Sequence, residues 1–321
     1  MGAPVIHFVH EGKAAYPEIR AYRRYFAADY TTFESSPDAL RRAKDIAPHA
    51  CWHMMGLYPV DLPGAAVTVH DYRSLSVGRF HTMKDWLKRV LNADPEIRIF
   101  QNQGIRQALG FDEDERTFYL PMGVPGDFIA QRRALSDSQC DFIYIGSMLA
   151  ERKCELMLDS FLERFGGQRT FHLYGHPHSE ELEARYAGRK NICFKGNVPQ
   201  EQIPALLKGA RVGVCYFPLH YPHLLQTPTK LLEYAALGMR IVANEHPQSR
   251  SAAAQYQISC EWGDTSDMFA QLPDELSWPD NSALDPSAMA WPSVIGASGV
   301  PDALRRAFAR AGVTQGGPSA A

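Results

Sequence analysis

The chain has 321 residues, longer than a single hydrophobic core usually grows, so two domains are expected. Apolar residues make up 45% and charged residues 21%, an ordinary globular balance, and a net charge of −3 excludes a broad cationic footprint for nucleic acid. The first apolar run, VIHFV, is too short for a signal peptide, and no stretch approaches the roughly 20 apolar residues that cross a bilayer, so a cytoplasmic location is expected. Six scattered cysteines lack zinc-site spacing and read as free, buried thiols in a reducing compartment. Basic residues cluster in Arg20 to Arg24 and Lys84 to Arg89, either as solvated helix faces or as places where an anionic acceptor or lipid headgroup is met.

Short apolar runs alternate with longer amphipathic ones, the grammar of βα units around a parallel sheet. VIHFVH reads as a strand and PEIRAYRRYFAAD as a helix. A weaker strand near HACWHM follows, then strand AAVTVHD, helix HTMKDWLKRVLN and strands EIRIFQ and TFYLPMG. GVPGDFIAQRRALSDSQC, polar with Gly and Pro, reads as a linker. The pattern then restarts with strand DFIYIGS, helix CELMLDSFLERFG, strands TFHLYG and ICFKGN, helix EQIPALLKGA, strand VGVCYFP, helix PTKLLEYAALG and strand RIVAN. Past Asp264 the pattern weakens until a last helix, VPDALRRAFARAG, and a GGPSAA tail expected to be disordered. Domains are therefore expected at 1–133, with the helix at 298–313 returning to it, and at 134–292. Ligands of open α/β sheets bind at the carboxyl ends of the strands, so a cleft between two such sheets is the expected active site.

The most informative segment is YPHLLQTPTKLLEYAALGMRIVAN. Thr-Pro-Thr suits a helix start with Thr227 or Thr229 as cap, and a helix N-terminus offers unpaired N–H groups to an anion. Lys230 is locally unfavourable at the positive end of a helix dipole, so a bound phosphate would explain its place. Glu233, one helical turn on, could accept two hydrogen bonds from a ribose diol, or could simply pair with Lys230 on the surface of an amphipathic helix. In FIYIGSMLAERKCELML, Gly146 ends a strand and allows close approach of a ligand, Arg152 and Lys153 suit a diphosphate, and an ordinary basic surface turn is the alternative. In VTVHDYRSLS, His70 and Asp71 fall at a strand end, where an imidazole can donate to a sugar hydroxyl; a structural His and a capping Asp are the alternative. The VHEGKAAYPEI loop has only Gly12, not three spaced glycines, which weighs against a dinucleotide cofactor.

PTKLLEYAALGMRIVAN resembles the nucleotide-binding signature of GT-B-type glycosyltransferases, particularly glycosyltransferase family 4, with Glu233, Tyr234, Gly238 and IVAN in register. Gly146 to Lys153 is similar to the family's diphosphate loop, with Lys153 matching its distal Lys and Ser147 standing where Arg is common. A first Glu, often eight positions before the ribose Glu, is Leu225 here, which leaves sugar contacts to the backbone around Gln226 and Thr227. His70 resembles the family's strand-end His near the transferred sugar. PMGV resembles the motif closing the first domain, with Met122 in place of Asn, and Gly196 to Val198 look like the family's Gly-x-Val stretch near the base.

The resemblance implies an α/β GT-B fold, two Rossmann-like domains with parallel sheets facing across a cleft. It implies transfer of a sugar from a nucleotide diphosphate sugar to an acceptor hydroxyl with retention, in surface polysaccharide or glycoconjugate synthesis. His70 and Lys153 would be catalytic; Gly146, Ser147, Arg152, Lys153, Gly196, Val198, Gln226, Thr227, Thr229, Lys230 and Glu233 would bind the donor. Gly12, Lys13 and Asp71 would lie on the acceptor side. No metal or cofactor is implied: there is no DxD-like motif at a strand end, and the nucleotide-sugar is a co-substrate. The partners implied are that donor and a saccharide or lipid-linked saccharide acceptor, with peripheral contact at the inner face of the membrane. The rival readings are a sugar-nucleotide epimerase on the same architecture and a non-catalytic nucleotide-sugar-binding protein.

Overall fold

A computed structural model of the chain describes residues 3–12, 16–42, 49–54, 56–58, 65–132, 139–175 and 180–313. Lys13, the expected boundary at 133/134 and the GGPSAA tail lie outside the described residues. The chain divides into two compact units, Met1–Met122 with Trp291–Ala321, and Gly123–Ala290. The first division falls at Gly123 rather than 134. Val124 bridges to Ala290 in parallel and donates its N–H to Met289 O (2.8 Å), so the second unit already begins there.

In the first unit β1 (Val5–Val9), α1 (Pro17–Phe26), β2 (Thr31–Ser35), α2 (Pro37–Arg42), β3 (Ala50–Met54), β4 (Val67–Tyr72), α3 (His81–Leu91), β5 (Ile97–Phe100), α4 (Gln103–Leu109) and β6 (Thr117–Tyr119) follow one another. The strands form one parallel sheet in the order β2-β1-β3-β4-β5-β6. Central β3 and β4 are buried throughout, because helices must cover both faces of a parallel sheet. α1 starts with Pro17 at its first turn and ends with Arg23 and Arg24 in its last, as the helix dipole favours. Its Tyr22 and Phe26 pack on Trp52 of β3, with ring centres 5.1 and 5.8 Å away.

The second unit contains α5 (Gly126–Ala130), β7 (Cys140–Ile145), α6 (Cys154–Phe165), β8 (Phe171–Tyr174), α7 (Glu180–Tyr186), β9 (Ile192–Phe194), α8 (Ile203–Lys208), β10 (Ala210–Cys215), α9 (Thr229–Ala236), β11 (Arg240–Asn244), α10 (Pro247–Tyr256) and β12 (Glu261–Gly263). Its sheet is also parallel, ordered β12-β11-β10-β7-β8-β9. Phe142, Phe161, Phe165, Phe171 and Phe269 form its aromatic core, largely in tilted and edge-on pairs. The chain then returns to the first unit through α11 (Trp291–Ala297) and α12 (Val300–Arg310), where Trp291 meets Tyr22 edge-on. All six cysteines are free and four are buried. β2, β12, α2, α4, α5, α7, α10 and α11 add to the elements read from sequence, α5 falling within the segment read as a linker.

One backbone approach fixes the loop after β7. Gly146 donates to Tyr174 O (3.0 Å) and Gly175 to Gly196 O (2.8 Å), which carries the β7–β8–β9 ladder past the strand ends. Gly175 has φ +150°, and a Cβ there would fall 1.8 Å from the Gly146 carbonyl oxygen. Gly175→Ala is therefore expected to cost about 1–3 kcal/mol of stability by denaturant titration. Gly167→Ala, whose added Cβ would meet open space, should stay within about 0.5 kcal/mol. Equal midpoints for the two variants would refute the close-approach argument.

Candidate active site

The strand order of the second unit reverses between neighbours β7 and β10, the position where loops diverge and open α/β sheets bind ligands. The carboxyl ends of these strands and the start of α9 enclose a pocket of about 130 Å³. Gly146 and Ser147 line it from β7, Tyr216 and Phe217 from β10, and Thr229 and Lys230 from α9. Arg152 enters from a single 3₁₀ turn, Ala150–Arg152, with its guanidinium carbon 4.7 Å from the centre of the Phe217 ring. Phe217 is itself clamped. The side-chain amide of Asn244, at the end of β11, accepts from Phe217 N (2.9 Å), and donates to Phe217 O (2.8 Å) and Thr265 Oγ1 (2.9 Å).

Among the described residues that line the pocket, the charged ones are Arg152 and Lys230. Burial pushes the Cys215 thiol up to about 12 and raises the Tyr144 and Tyr216 phenols, so the other polar walls are neutral. Nearby His223 is held below its ordinary range by burial and then by Arg152. α9 begins after Pro228, which caps it without a side-chain bond; neither Thr227 nor Thr229 is the cap, and Thr229 is the first helical residue. Pro228 supplies no side-chain cap, and the N–H groups of a helix's first turn have no intrahelical acceptor. An electropositive pocket of this kind suits a phosphate or diphosphate.

Glu233 lies one turn further on, buried, with Oε2 accepting from Lys230 Nζ at 2.6 Å. The Lys230–Glu233 pair anticipated for a plain amphipathic helix is thus present, with Lys230 lining the pocket and the Glu233 carboxylate, 10% exposed, behind it rather than on an open surface. Lys153 does not line the pocket. It is exposed, with φ +51°, and caps α6 while its carbonyl accepts from Tyr216 OH (3.1 Å). Gln226 bonds to His223 through both backbone and side chain (3.0 and 3.2 Å). Thr227 is half-buried beside it. Gly196 (φ +71°) and Val198 follow β9, at the edge of the sheet and outside the pocket wall.

In the first unit, successive residues of β4 project to opposite faces, which separates His70 from Asp71. His70 is 2% exposed, inside the strand rather than at its open end, with Nδ1 3.2 Å from Tyr72 OH. Its Nε2 and both ring nitrogens of neighbouring His53 have no hydrogen-bond partner among the described residues. Burial drives His70 down to about 3 and His53 to about 4, so both are neutral. Asp71 faces α1, accepting from Tyr22 OH (3.0 Å) and Trp52 Nε1 (3.2 Å). Buried Arg73 lies between it and Glu18, 3.9 and 3.7 Å away, and donates to Met122 Sδ (2.9 Å) and Leu120 O. Burial raises Asp71 to about 6. Gly12 (φ +71°) donates to His10 Nδ1 (3.0 Å) on an exposed turn. Sequence reading singles out neither this Glu18–Asp71–Arg73 cluster nor Phe217 and Asn244. A polar residue closing an apolar strand, as in RIVAN, is the signal for Asn244.

Two units built on parallel sheets with helices define an α/β fold of the GT-B type. Residues 139–274 match the family model of the glycosyl transferases group 1. AviGT4, a glycosyltransferase involved in avilamycin A biosynthesis, has a similar structure (TM-score 0.61, 15% identity, covering 96% of this chain and 98% of that one). So has Alr3699/HepE from Anabaena, solved with UDP-glucose (TM-score 0.60, 10% identity, 97% and 100% covered). A putative UDP-N-acetylglucosamine 2-epimerase from Listeria monocytogenes is also similar (TM-score 0.55, 9% identity, 96% and 98% covered). No curated protein sequence matches the chain significantly. The family match lies within the second unit, and the likeness to these structures shows the GT-B fold along the chain.

The buried histidines give a pH test. His53 binds a proton near 6.5 when unfolded and near 4 when folded, so the unfolded state holds more protons between these values. Stability is complete above 6.5 and is lost as pH falls toward 4. His53→Phe keeps the ring volume and removes two unpartnered nitrogens. It should be at least as stable as the parent near neutral pH, and gain up to about 1.4 kcal/mol per pH unit on it below 6.5. Parallel pH–stability curves would show that His53 is not buried neutral.

Proposed function

We propose that the chain transfers a sugar from a nucleoside diphosphate sugar to an acceptor hydroxyl with retention of configuration, holding the donor's diphosphate in the β7–β10–α9 pocket. The observation that carries this reading is the wall of that pocket: Arg152 stacked on a clamped Phe217, Lys230 in the first turn of α9, and no Asp or Glu among the described residues that line it. In the proposed step the bond from the anomeric carbon to the diphosphate oxygen breaks and a bond to the acceptor oxygen forms on the same face. The acceptor proton passes to the departing diphosphate oxygen, and the electron pair stays with the diphosphate. Arg152, Lys230 and the first-turn amides of α9 stabilise that charge as it develops. Glu233 is assigned to the ribose, exchanging its bond to Lys230 for the diol while Lys230 turns to phosphate. Gly196 and Val198 are assigned to the base side, and Gln226 and Thr227 to the sugar.

On the acceptor side the assignment narrows. Because His70 is buried and neutral, we place it with Asp71 among the residues that support the sheet, and leave Gly12 at the open end of β1 as the acceptor-facing position. A saccharide or lipid-linked acceptor, a polysaccharide or glycoconjugate product, and a cytoplasmic setting with peripheral membrane contact complete the proposal. No helix among the described residues is long and apolar enough to cross a membrane.

The test is a thermal-shift panel of nucleotide-sugars with donor hydrolysis measured in parallel. The cognate donor at 100 times its Kd should add about 2.7 kcal/mol, and hydrolysis should accompany it. Stabilisation without hydrolysis or transfer, even with acceptor extracts, would overturn transfer in favour of a binding role. In calorimetry Arg152→Ala should cost about 1.5–3 kcal/mol with the nucleoside diphosphate and little with the bare nucleoside, and Glu233→Ala a similar amount with both. Tighter diphosphate binding by Glu233→Ala would overturn the ribose role and leave Glu233 as a tether for Lys230.

The proposed chemistry needs no metal, so turnover should persist in excess EDTA. Loss of turnover restored by magnesium or manganese would refute that part.

A further inference from the structure

α3 is amphipathic in the reverse of the usual sense. Helices of a globular protein turn their apolar stripe inward. Here the buried side chains are Asp85 and Lys88, while Met83, Trp86 and Val90 are at least half exposed and Leu91 nearly so. At 100° per residue, Met83, Trp86 and Val90 share one face, and Leu91 extends it. Phe80, before the helix, and Val77 in the preceding loop are also more than half exposed. The arrangement is held in place: Asp85 accepts from Ser76 N (3.0 Å) and from Lys88 Nζ (3.0 Å), fixing the loop to the inner side of the helix. Scattered single apolar residues on a surface need no explanation, but a run from one loop and one helix face marks a partner.

The charges around that face indicate which partner. Arg79, Lys84 and Arg89 are exposed beside it, while Asp85, the acidic residue of the helix, is buried against Lys88. Arg79 stands 5.8 Å from the Phe80 ring centre, Lys84 donates to Val77 O (3.3 Å), and Arg89 to Gly110 O (2.9 Å). The chain as a whole carries −3, but at physiological salt only charges within about 8 Å act strongly, and Arg79 and Lys84 make their end of this face locally cationic, while Arg89 shares a cavity with Asp94, Asp112 and Asp114. A second copy docking by two-fold symmetry would set these cations against their like. An anionic bilayer complements both features, with the cations among headgroups and the Trp, Phe and Met side chains at the acyl boundary.

We propose that the Val77–Leu91 face docks the protein in the plane of an anionic membrane. This deepens the peripheral membrane contact proposed above while standing apart from the identity of the donor. α3 is far too short to span a bilayer, so the attachment is reversible and interfacial.

The experiment uses the full chain with phosphatidylcholine vesicles, alone or doped with phosphatidylglycerol, read by sedimentation and tryptophan emission. Binding is expected to the doped vesicles, with a blue shift from Trp86, and to weaken with salt. Arg79→Gln and Lys84→Gln should each weaken it about fivefold, and Met83→Ser with Trp86→Ser about tenfold or more. Both sets alter exposed side chains, so melting temperature and any nucleotide-sugar shift should stay unchanged in them. A folded protein that stays in the supernatant overturns the proposal, as does equal binding to neutral and anionic vesicles. So does a concentration-dependent dimer abolished by Met83→Ser with Trp86→Ser, which assigns the face to a second copy. Retained nucleotide-sugar shifts in any of these cases would leave the transferase reading standing.

Discussion

Every strand of both sheets runs in the same direction as its neighbours, and the rest of the architecture follows from that constraint. Parallel strands can be joined only by crossovers, so helices cover both faces, and each helix starts near the end at which the preceding strand stops. Carboxyl ends of strands and positive ends of helices are thereby gathered on one edge of each sheet. In the second unit the reversal of strand order between β7 and β10 opens that edge. Small residues stand at the β7 end of the pocket: a Cβ on Gly146 would press on the Tyr144 hydroxyl, and one on Gly175 would strike the Gly146 carbonyl.

The chemistry of the pocket depends on support from groups that do not line it. Asn244 stands in for a strand's worth of backbone, satisfying both the N–H and the C=O of Phe217. Phe217 in turn gives the Arg152 guanidinium a flat surface, which orients a long side chain that would otherwise lose much rotamer freedom on binding an anion. Glu233 plays a comparable part for Lys230. In the unliganded protein its carboxylate partly offsets the ammonium charge, so an electropositive pocket is kept without leaving a half-buried lysine unpaired.

How much of this was legible in the sequence differs by physical cause. The parallel α/β architecture and the β7 and α9 segments are written in apolar runs and glycine positions, and the structure places Gly146, Ser147, Arg152, Thr229 and Lys230 around one pocket. β2 escapes sequence reading because TTFES is an edge strand with little buried surface, so it lacks the apolar signature. His70 and Asp71 look like a pair because they are adjacent, yet adjacency in a strand means opposite faces. The caps at Thr227 and Thr229 fail because Pro228 occupies the capping position itself. Between Arg152 and Lys153, it is Arg152 that lines the pocket, while Lys153 is exposed with a left-handed backbone that nothing in ERKC announces.

The same exposed β2 has a consequence for colloidal behaviour. An edge strand presents unpaired N–H and C=O groups that a second molecule can extend into a continuous intermolecular sheet. β2 carries Glu34 on that edge, bonded to His10 Nε2 (2.8 Å) and facing Arg23 (3.7 Å), so a polar cluster stands beside the open ladder. Its short span and charged border discourage the in-register stacking that seeds fibrils. For a molecule that also keeps a greasy face on α3, this guard separates reversible adhesion from irreversible precipitation: crowded copies can stick through side chains, but backbones are kept from zipping together.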